Sequence, residues 1–146
     1  MSFDRTRSAG ALASDIARLY AAGLQQALAP LRLAPAQFLA LTELWEQDGL
    51  TQRELAKRLA VEQATMANTL ARMQRDGLVD RRAHPDDGRS QQVWLTQQAS
   101  GLRVEAVKAA AKASDRVTAS LPAAERELFL SMLSRVAAGL RDAGDD

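Results

Sequence analysis

No cysteine occurs among the 146 residues, which excludes disulfides, thiolate zinc sites and thiol-based redox sensing within the chain. A single histidine, His84, cannot build a histidine-rich metal site. There is no glycine loop of the phosphate-gripping kind, and the carboxylates fall mainly on predicted outer helix faces. Neither an enzymatic activity nor a cofactor is therefore expected. No apolar run approaches the ~20 residues of a membrane span. The opening MSFDRTRSAG lacks the apolar centre of a signal peptide, so the expected location is the cytoplasm, with no membrane partner. Strong charge imbalance is missing too. At a net charge of +1, nucleic-acid binding depends on where the charges sit.

What the chain has is 47% hydrophobic residues, largely alanine and leucine, with 25% charged: a folded, helix-leaning composition. No internal repeat or flexible linker divides residues 1–146, which read as a single domain. A first helix is predicted from about Ala9 to Ala29. Its apolar face carries Leu12, Ile16, Leu19, Tyr20, Gly23, Leu24, Ala27 and Leu28, and Pro30 marks its end. A second helix should start at Pro35, bury Phe38, Leu41, Leu44 and Trp45, and close at Asp48-Gly49.

Thr51 to Glu54 read as a capping box opening a third helix. The Thr51 hydroxyl would accept from the Glu54 N–H, and the Glu54 carboxylate would reach back to the Thr51 N–H. Val61 and Glu62 make a turn into a fourth helix, from about Gln63 to Asp76, which Gly77 stops in a left-handed conformation. Met66, Leu70 and Met73 form its inner stripe. The opposite face carries Ala64, Asn68, Ala71, Arg72 and Arg75, with Thr65 at its margin and no carboxylate before Asp76. A helix made only for solvent would mix Glu and Lys there. Strands over Leu78–Arg82 and Gln91–Leu95 would flank the Pro- and Gly-containing tip His84–Arg89. Thr96 caps a fifth helix running to about Ser120, whose inner face is mostly alanine. Pro122 restarts a sixth, lined by Leu128, Met132, Leu133, Val136 and Leu140, and Asp142–Asp146 should fray.

Helix, turn, helix and a charged hairpin in this order read as a winged helix-turn-helix, a module that sets one helix in the DNA major groove. The fold class is thus mainly α with a small β-wing, and residues 35–96 hold the module. Gln63, Thr65 and Asn68 can pair with base edges or phosphates, and Arg72 can reach guanine or phosphate. Arg81 and Arg82 suit solvent, an ion pair or a phosphate better than a base. The bland reading of the fourth helix is an ordinary amphipathic surface helix. The competing function is a winged-helix protein-interaction module without DNA contact.

Several stretches together resemble the MarR (multiple antibiotic resistance regulator) family of bacterial transcription factors. They are Pro35-Ala36-Gln37-Phe38, Leu50 to Ala56, Gly77 to Arg81, Asp87-Gly88-Arg89-Ser90 and Leu95-Thr96. The resemblance implies a homodimer whose helices at 9–30 and 97–141 interlock. It implies fourth helices in successive major grooves of an inverted-repeat operator in double-stranded DNA, with the wing in the adjacent minor groove. The DNA-binding set it implies is Gln63, Ala64, Thr65, Asn68, Thr69, Arg72, Arg75, Asp87, Arg89 and Ser90. Arg89 takes the wing-arginine position, and Asp87 supports it and the loop. The resemblance further implies a repressor released by a small aromatic or phenolic ligand, with Tyr20 and Trp45 the residues to watch. The chain departs from the family at Ala34, at Glu62 and Ala64, and at Ala99, where a glycine shifts to Gly101. Glu62 bears on function: its carboxylate would repel a phosphate, unless it serves as an N-cap favoured by the helix dipole.

Overall fold

Periodic leucines and alanines, spaced for helices, fold into a mainly helical chain with one small antiparallel sheet. The computed structural model describes residues 2–144. Helix α1 (Ala9–Leu28) is followed by α2 (Pro35–Glu46), β1 (Leu50–Thr51), α3 (Gln52–Leu59) and α4 (Gln63–Arg75). Then come β2 (Val79–Ala83), β3 (Gln91–Leu95), α5 (Gln97–Gly101), α6 (Arg103–Val117) and α7 (Ala123–Gly144). The sheet order is β1-β3-β2, with Leu50 opposite Val93 and Val79 opposite Leu95.

The core forms where α2 is enclosed. Its Phe38, Ala40, Leu41 and Leu44 are buried, and α1, α3, α4 and β3 all pack on it. Leu28, Leu50, Leu55, Leu70, Met73, Val79 and Val93 complete a continuous apolar cluster. Each such side chain contributes about 1.5–3 kcal/mol by leaving water. Among the described residues Gln37 is the buried polar exception. Its Oε1 accepts from the Ala34 N–H at 3.0 Å and its Nε2 donates to Asp76 Oδ2 at 2.9 Å. The amide thus supplies the reciprocal half of a capping box by holding the Ala34 N–H, and ties the start of α2 to the end of α4.

Local chemistry differs from the sequence reading in several places. At Thr51 the hydroxyl accepts from the Glu54 N–H at 3.2 Å, as expected. The Glu54 carboxylate, however, accepts from that same hydroxyl at 3.0 Å rather than reaching the Thr51 backbone, because Thr51 is held in β1 opposite Gln92. That third strand has only Leu50 and Thr51, too few for alternation to reveal. Helix α1 stops at Leu28, and a 3-10 turn over Ala29–Leu31 carries the chain through Pro30.

The expected single helix from Gln97 to Ser120 is two helices broken at Leu102. There the Leu102 N–H bonds the Ala99 carbonyl at 3.2 Å, and the Trp45 indole N–H donates to the same carbonyl at 3.1 Å. Ser100-Gly101 supplies a weak point in the helix, and a tertiary donor occupies its backbone. Arg103, just past the break, donates to the Trp45 carbonyl at 2.9 Å and pairs with Glu46. At the other end of the chain Asp142 to Gly144 close α7, while the remainder of the expected frayed tail, Asp145 and Asp146, lies outside the described residues.

The largest departure concerns the flanking helices. In α1 the lower end buries Leu24 and Leu28 against Ala106, Ala110 and Ala113 of α6. Leu12, Ile16 and Leu19 on the same stripe are 40–63% exposed. Among the described residues α7 buries none, and Leu128, Met132, Leu133, Val136 and Leu140 lie 44–71% exposed. Periodicity shows that a face is apolar; it does not say which chain covers it.

Replacing Gln37 by Met keeps the volume but leaves the Ala34 N–H and the Asp76 carboxylate without the amide. Unfolding in urea should show a loss of about 1–3 kcal/mol; an unchanged midpoint would show that the bridge carries no stability.

Candidate nucleic-acid interface

Helix α4 is oriented by three side chains. Met66, Leu70 and Met73 are each no more than 2% exposed, at three- and four-residue spacing. The opposite face then points out, and Gln63, Ala64, Thr65, Asn68, Arg72 and Arg75 are exposed on it. Thr69 is half-buried. Its hydroxyl donates to the Thr65 carbonyl at 3.0 Å, so it is engaged within the helix rather than presented outward. The helix ends in a Schellman arrangement: Leu78 N–H to the Met73 carbonyl at 2.9 Å, Gly77 N–H to the Gln74 carbonyl at 3.2 Å, and Gly77 at φ 76°. At the start, Glu62 occupies the N-cap position with extended backbone, but its side chain caps nothing. The capping role, the alternative to repelling a phosphate, is not taken up by that carboxylate. A glutamate has one methylene more than the short acceptors that fit this turn.

The wing projects from β2 and β3. At its base the Asp48 carboxylate accepts from the Gly49 N–H at 3.0 Å and the Leu95 N–H at 2.9 Å. Gly49, at φ 77°, lies against the Trp94 ring: a Cβ there would come 2.6 Å from the ring carbon Cζ2. Arg82 covers Trp94, with its guanidinium carbon 5.2 Å from the ring centroid. At the tip the His84 N–H bonds the Ser90 carbonyl at 3.0 Å, and His84 Nδ1 accepts from the Asp86 N–H at 3.1 Å. Asp87 Oδ1 accepts from the Arg89 backbone N–H at 3.0 Å. Asp87 therefore shapes the turn that carries Arg89 and, among the described ion pairs, makes none with it.

A cleft of about 390 Å³ lies between the starts of α3 and α4 and the wing. It brings together three of the residues expected at the interface, Gln63, Arg89 and Ser90, and adds Gln52, Arg53 and Arg81. Gln52 Nε2 lies 3.3 Å from Gln63 Oε1 and donates across the two helix starts. Sequence reasoning passed over Gln52 and Arg53, and placed Arg81 in solvent, an ion pair or against phosphate. Only the pairing of β2 with β3 sets Arg81 beside Arg89. Arg75 lies at the far end of α4 next to Asp76, 3.6 Å away, outside this group.

Tyr20 and Trp45 do not meet. Tyr20 lines a groove of about 420 Å³ between α1 and α6 with Ile16, Leu19 and Arg116. Trp45 has its indole N–H on the Ala99 carbonyl and packs edge-on to Phe38 at 6.1 Å.

The MarR family model matches residues 33–91, from the loop before α2 to the start of β3. An HTH-type transcriptional repressor of Mycobacterium tuberculosis is 37% identical over 112 residues, covering 75% of this chain and 79% of its own. The organic hydroperoxide resistance transcriptional regulator of Bacillus subtilis is 34% identical over 77 residues, 53% of this chain; the chain spans about half, 52%, of that relative's length. Among solved structures, Bordetella bronchiseptica BpsR, whose DNA binding is described as regulated by 6-hydroxynicotinic acid, aligns with a TM-score of 0.83. It is 25% identical over 94% of this chain and 98% of its own.

Gly49→Ala meets both a disfavoured backbone conformation and the Trp94 ring. In a Trp45→Phe background, where Trp94 is the remaining tryptophan, it should lower stability by more than about 1 kcal/mol. The Trp94 emission should shift to the red. An unaltered spectrum and midpoint would mean that the ring yields freely.

Proposed function

The chain belongs to the MarR family, and from that premise we propose that it is a homodimeric, ligand-responsive repressor reading an inverted-repeat operator. That it is a DNA-binding transcriptional regulator follows from the family itself. The finer reading rests on one observation. The outward face of α4 carries amide, hydroxyl and guanidinium groups without a carboxylate, and Arg89 of the wing lies on the same side, joined to it by the cleft at Gln63.

Gln63, Thr65, Asn68 and Arg72 are the groups that meet base edges and nearby phosphates, with Ala64 and Thr69 letting the duplex approach. Arg75 holds a phosphate at the far end of α4. Arg89 enters the minor groove, where a narrow A·T-rich segment concentrates negative potential, while Asp87 and Ser90 keep its turn in shape. Glu62 works against affinity, since a carboxylate at the start of α4 faces the phosphates. Net attraction must come from the arginines around it.

Two copies are needed because one chain leaves the α7 stripe and the upper face of α1 in water. Residues 9–30 and 97–141 then form the dimer helices around the module at 35–96, all one domain over 1–146. Exposed stripes of this kind are costly for a solitary chain and mark contact surfaces. The effector is a small aromatic acid or phenol, read beside Tyr20 and Arg116. The regulation of BpsR by 6-hydroxynicotinic acid supports this class of ligand. Trp45 acts as a structural tie rather than a ligand contact. The site of action is the cytoplasm, and neither a cofactor nor catalysis is involved.

Selection from random duplexes at low salt should enrich an inverted repeat with half-sites about one helical turn, roughly 10 bp, apart. Enrichment of no palindrome would overturn the dimeric-operator reading. On the selected operator Arg89→Ala should weaken binding by about 1–3 kcal/mol, with the greatest loss on A·T-rich flanks. Equal isotherms for the variant and the parent would remove Arg89 from the minor groove.

A further inference from the structure

The first residues of α3 and α4 touch. Gln52 opens α3 and Gln63 opens α4. The Gln52 amino group donates to two oxygens of Gln63, Oε1 at 3.3 Å and the backbone carbonyl at 3.5 Å. An amino group shared between two acceptors holds each at the long end of the range. In most amide pairs either end can face the neighbour, because oxygen and nitrogen are alike in size. Here the backbone removes that freedom. A carbonyl only accepts, so the end of Gln52 beside it is the amino end. An amino group only donates, so the end of Gln63 that faces it is the oxygen. The Gln63 amino group is thereby turned away from α3. It has no hydrogen-bond partner among the described residues, and Gln63 is exposed on the outward face of α4.

Both helix starts are fixed. The Thr51 hydroxyl accepts from the Glu54 N–H at 3.2 Å, and Gln52 beside it is half-buried. The turn into α4 is held by the Val61 N–H on the Ala56 carbonyl at 3.0 Å, and the buried Met66 seats the first turn of α4. The Glu62 side chain leaves that turn uncapped. Among the described side-chain hydrogen bonds, those from Gln52 alone join α3 to the start of α4.

We propose that Gln52 is a positioning residue for base reading: it holds the Gln63 amide with its amino group outermost, so that α4 selects a base with an acceptor on its major-groove edge. The inference rests on the reading of α4 as the helix that enters the major groove. There guanine offers N7 and O6 and thymine offers O4, all acceptors, whereas cytosine offers the N4 amino donor. An amino group pressed against an amino group leaves two donors out of water and unpaired. Adenine carries one acceptor and one donor, and so suits either orientation of the amide. Gln52 itself meets no base. It stands behind the residue that does, and decides which end of that residue is offered.

Affinities for guanine and for cytosine are compared on duplexes in which each base beneath α4 of the selected operator is varied in turn. Gln63→Ala marks the position that Gln63 reads, where its preference collapses. At that position the parent should favour guanine over cytosine by roughly five- to tenfold. Gln52→Met keeps the length and removes the donor, which frees the Gln63 amide to rotate, and the preference should fall toward parity. Gln52→Glu keeps the shape and reverses the polarity. Its carboxylate accepts from the Gln63 amino group and turns the Gln63 oxygen outward, so the preference should move to cytosine. The added charge weakens binding to every sequence alike and cancels in the ratio. Unfolding midpoints are recorded for each variant, and a glutamate in the first turn of α3 suits the helix dipole. A Gln52 of merely structural importance would lower affinity on all sequences and leave the ratio unmoved. A parent preference for cytosine at the marked position, or a parent-like ratio in Gln52→Met, would overturn the proposal. A Gln63→Ala variant that leaves every ratio unchanged would remove Gln63 from the bases, and the proposal with it, while the regulator stands. A parent chain that binds no duplex at any salt would overturn the DNA reading beneath it.

Discussion

Four elements of the structure, α1, α3, α4 and β3, are seated on one helix of the core. α2 is packed by α1, α3, α4 and β3, so its direction fixes theirs. A helix enclosed in this way has few places for polar atoms, and Gln37 is tolerated because both ends of its amide are used. Truncating one of its buried leucines would cost about 2–5 kcal/mol against a domain stability of about 5–15 kcal/mol. Its far end does a different task. Between Trp45 and Gly49 it grips the α5–α6 break through Ala99 and Arg103, and the wing base through Leu95 and Trp94. The α5–α6 break and the wing base are thus held by the same few residues.

The parts of the fold that are local in sequence could be read from it. Thr51, Thr96, Pro35 and Gly77 mark helix ends through interactions spanning three or four residues, and the structure makes them there. The inner stripe of α4 followed from spacing alone. What escaped depends on partners distant in the chain. β1 exists because β3 passes beside Leu50 and Thr51. The break at Leu102 coincides with a hydrogen bond from Trp45, which lies on another helix. Glu54 was the local misreading: the residue type suited the second half of a capping box, but its hydrogen bond to the Thr51 hydroxyl took that place, and at Glu62 the capping alternative is the one not formed.

The candidate interface divides the same way. Groups carried by α4 could be placed on one outward face because a helix face can be drawn from sequence. Arg89 could be placed on the wing turn because Asp87-Gly88 makes a recognisable turn. Gln52, Arg53 and Arg81 lie on three-dimensional neighbours of that face, brought there by the meeting of two helix starts and a strand. Tyr20 and Trp45, the two aromatic residues expected near a ligand, lie on different contacts altogether. An aromatic residue in a helical stripe has no local mark that distinguishes a groove wall from a structural tie.

The double acceptance by Asp48 has a consequence for how a duplex is selected. With the Gly49 and Leu95 N–H groups on one carboxylate and Trp94 wedged against Gly49, the base of the wing has no hinge of its own. A prong fixed at its root cannot track variation in groove width by swinging. In the complex proposed above the adjustment falls to the nucleic acid, and sequences that narrow or bend easily lose less free energy in making it. On that proposal, part of the discrimination between operators is a measurement of DNA stiffness, made at base pairs that no side chain touches.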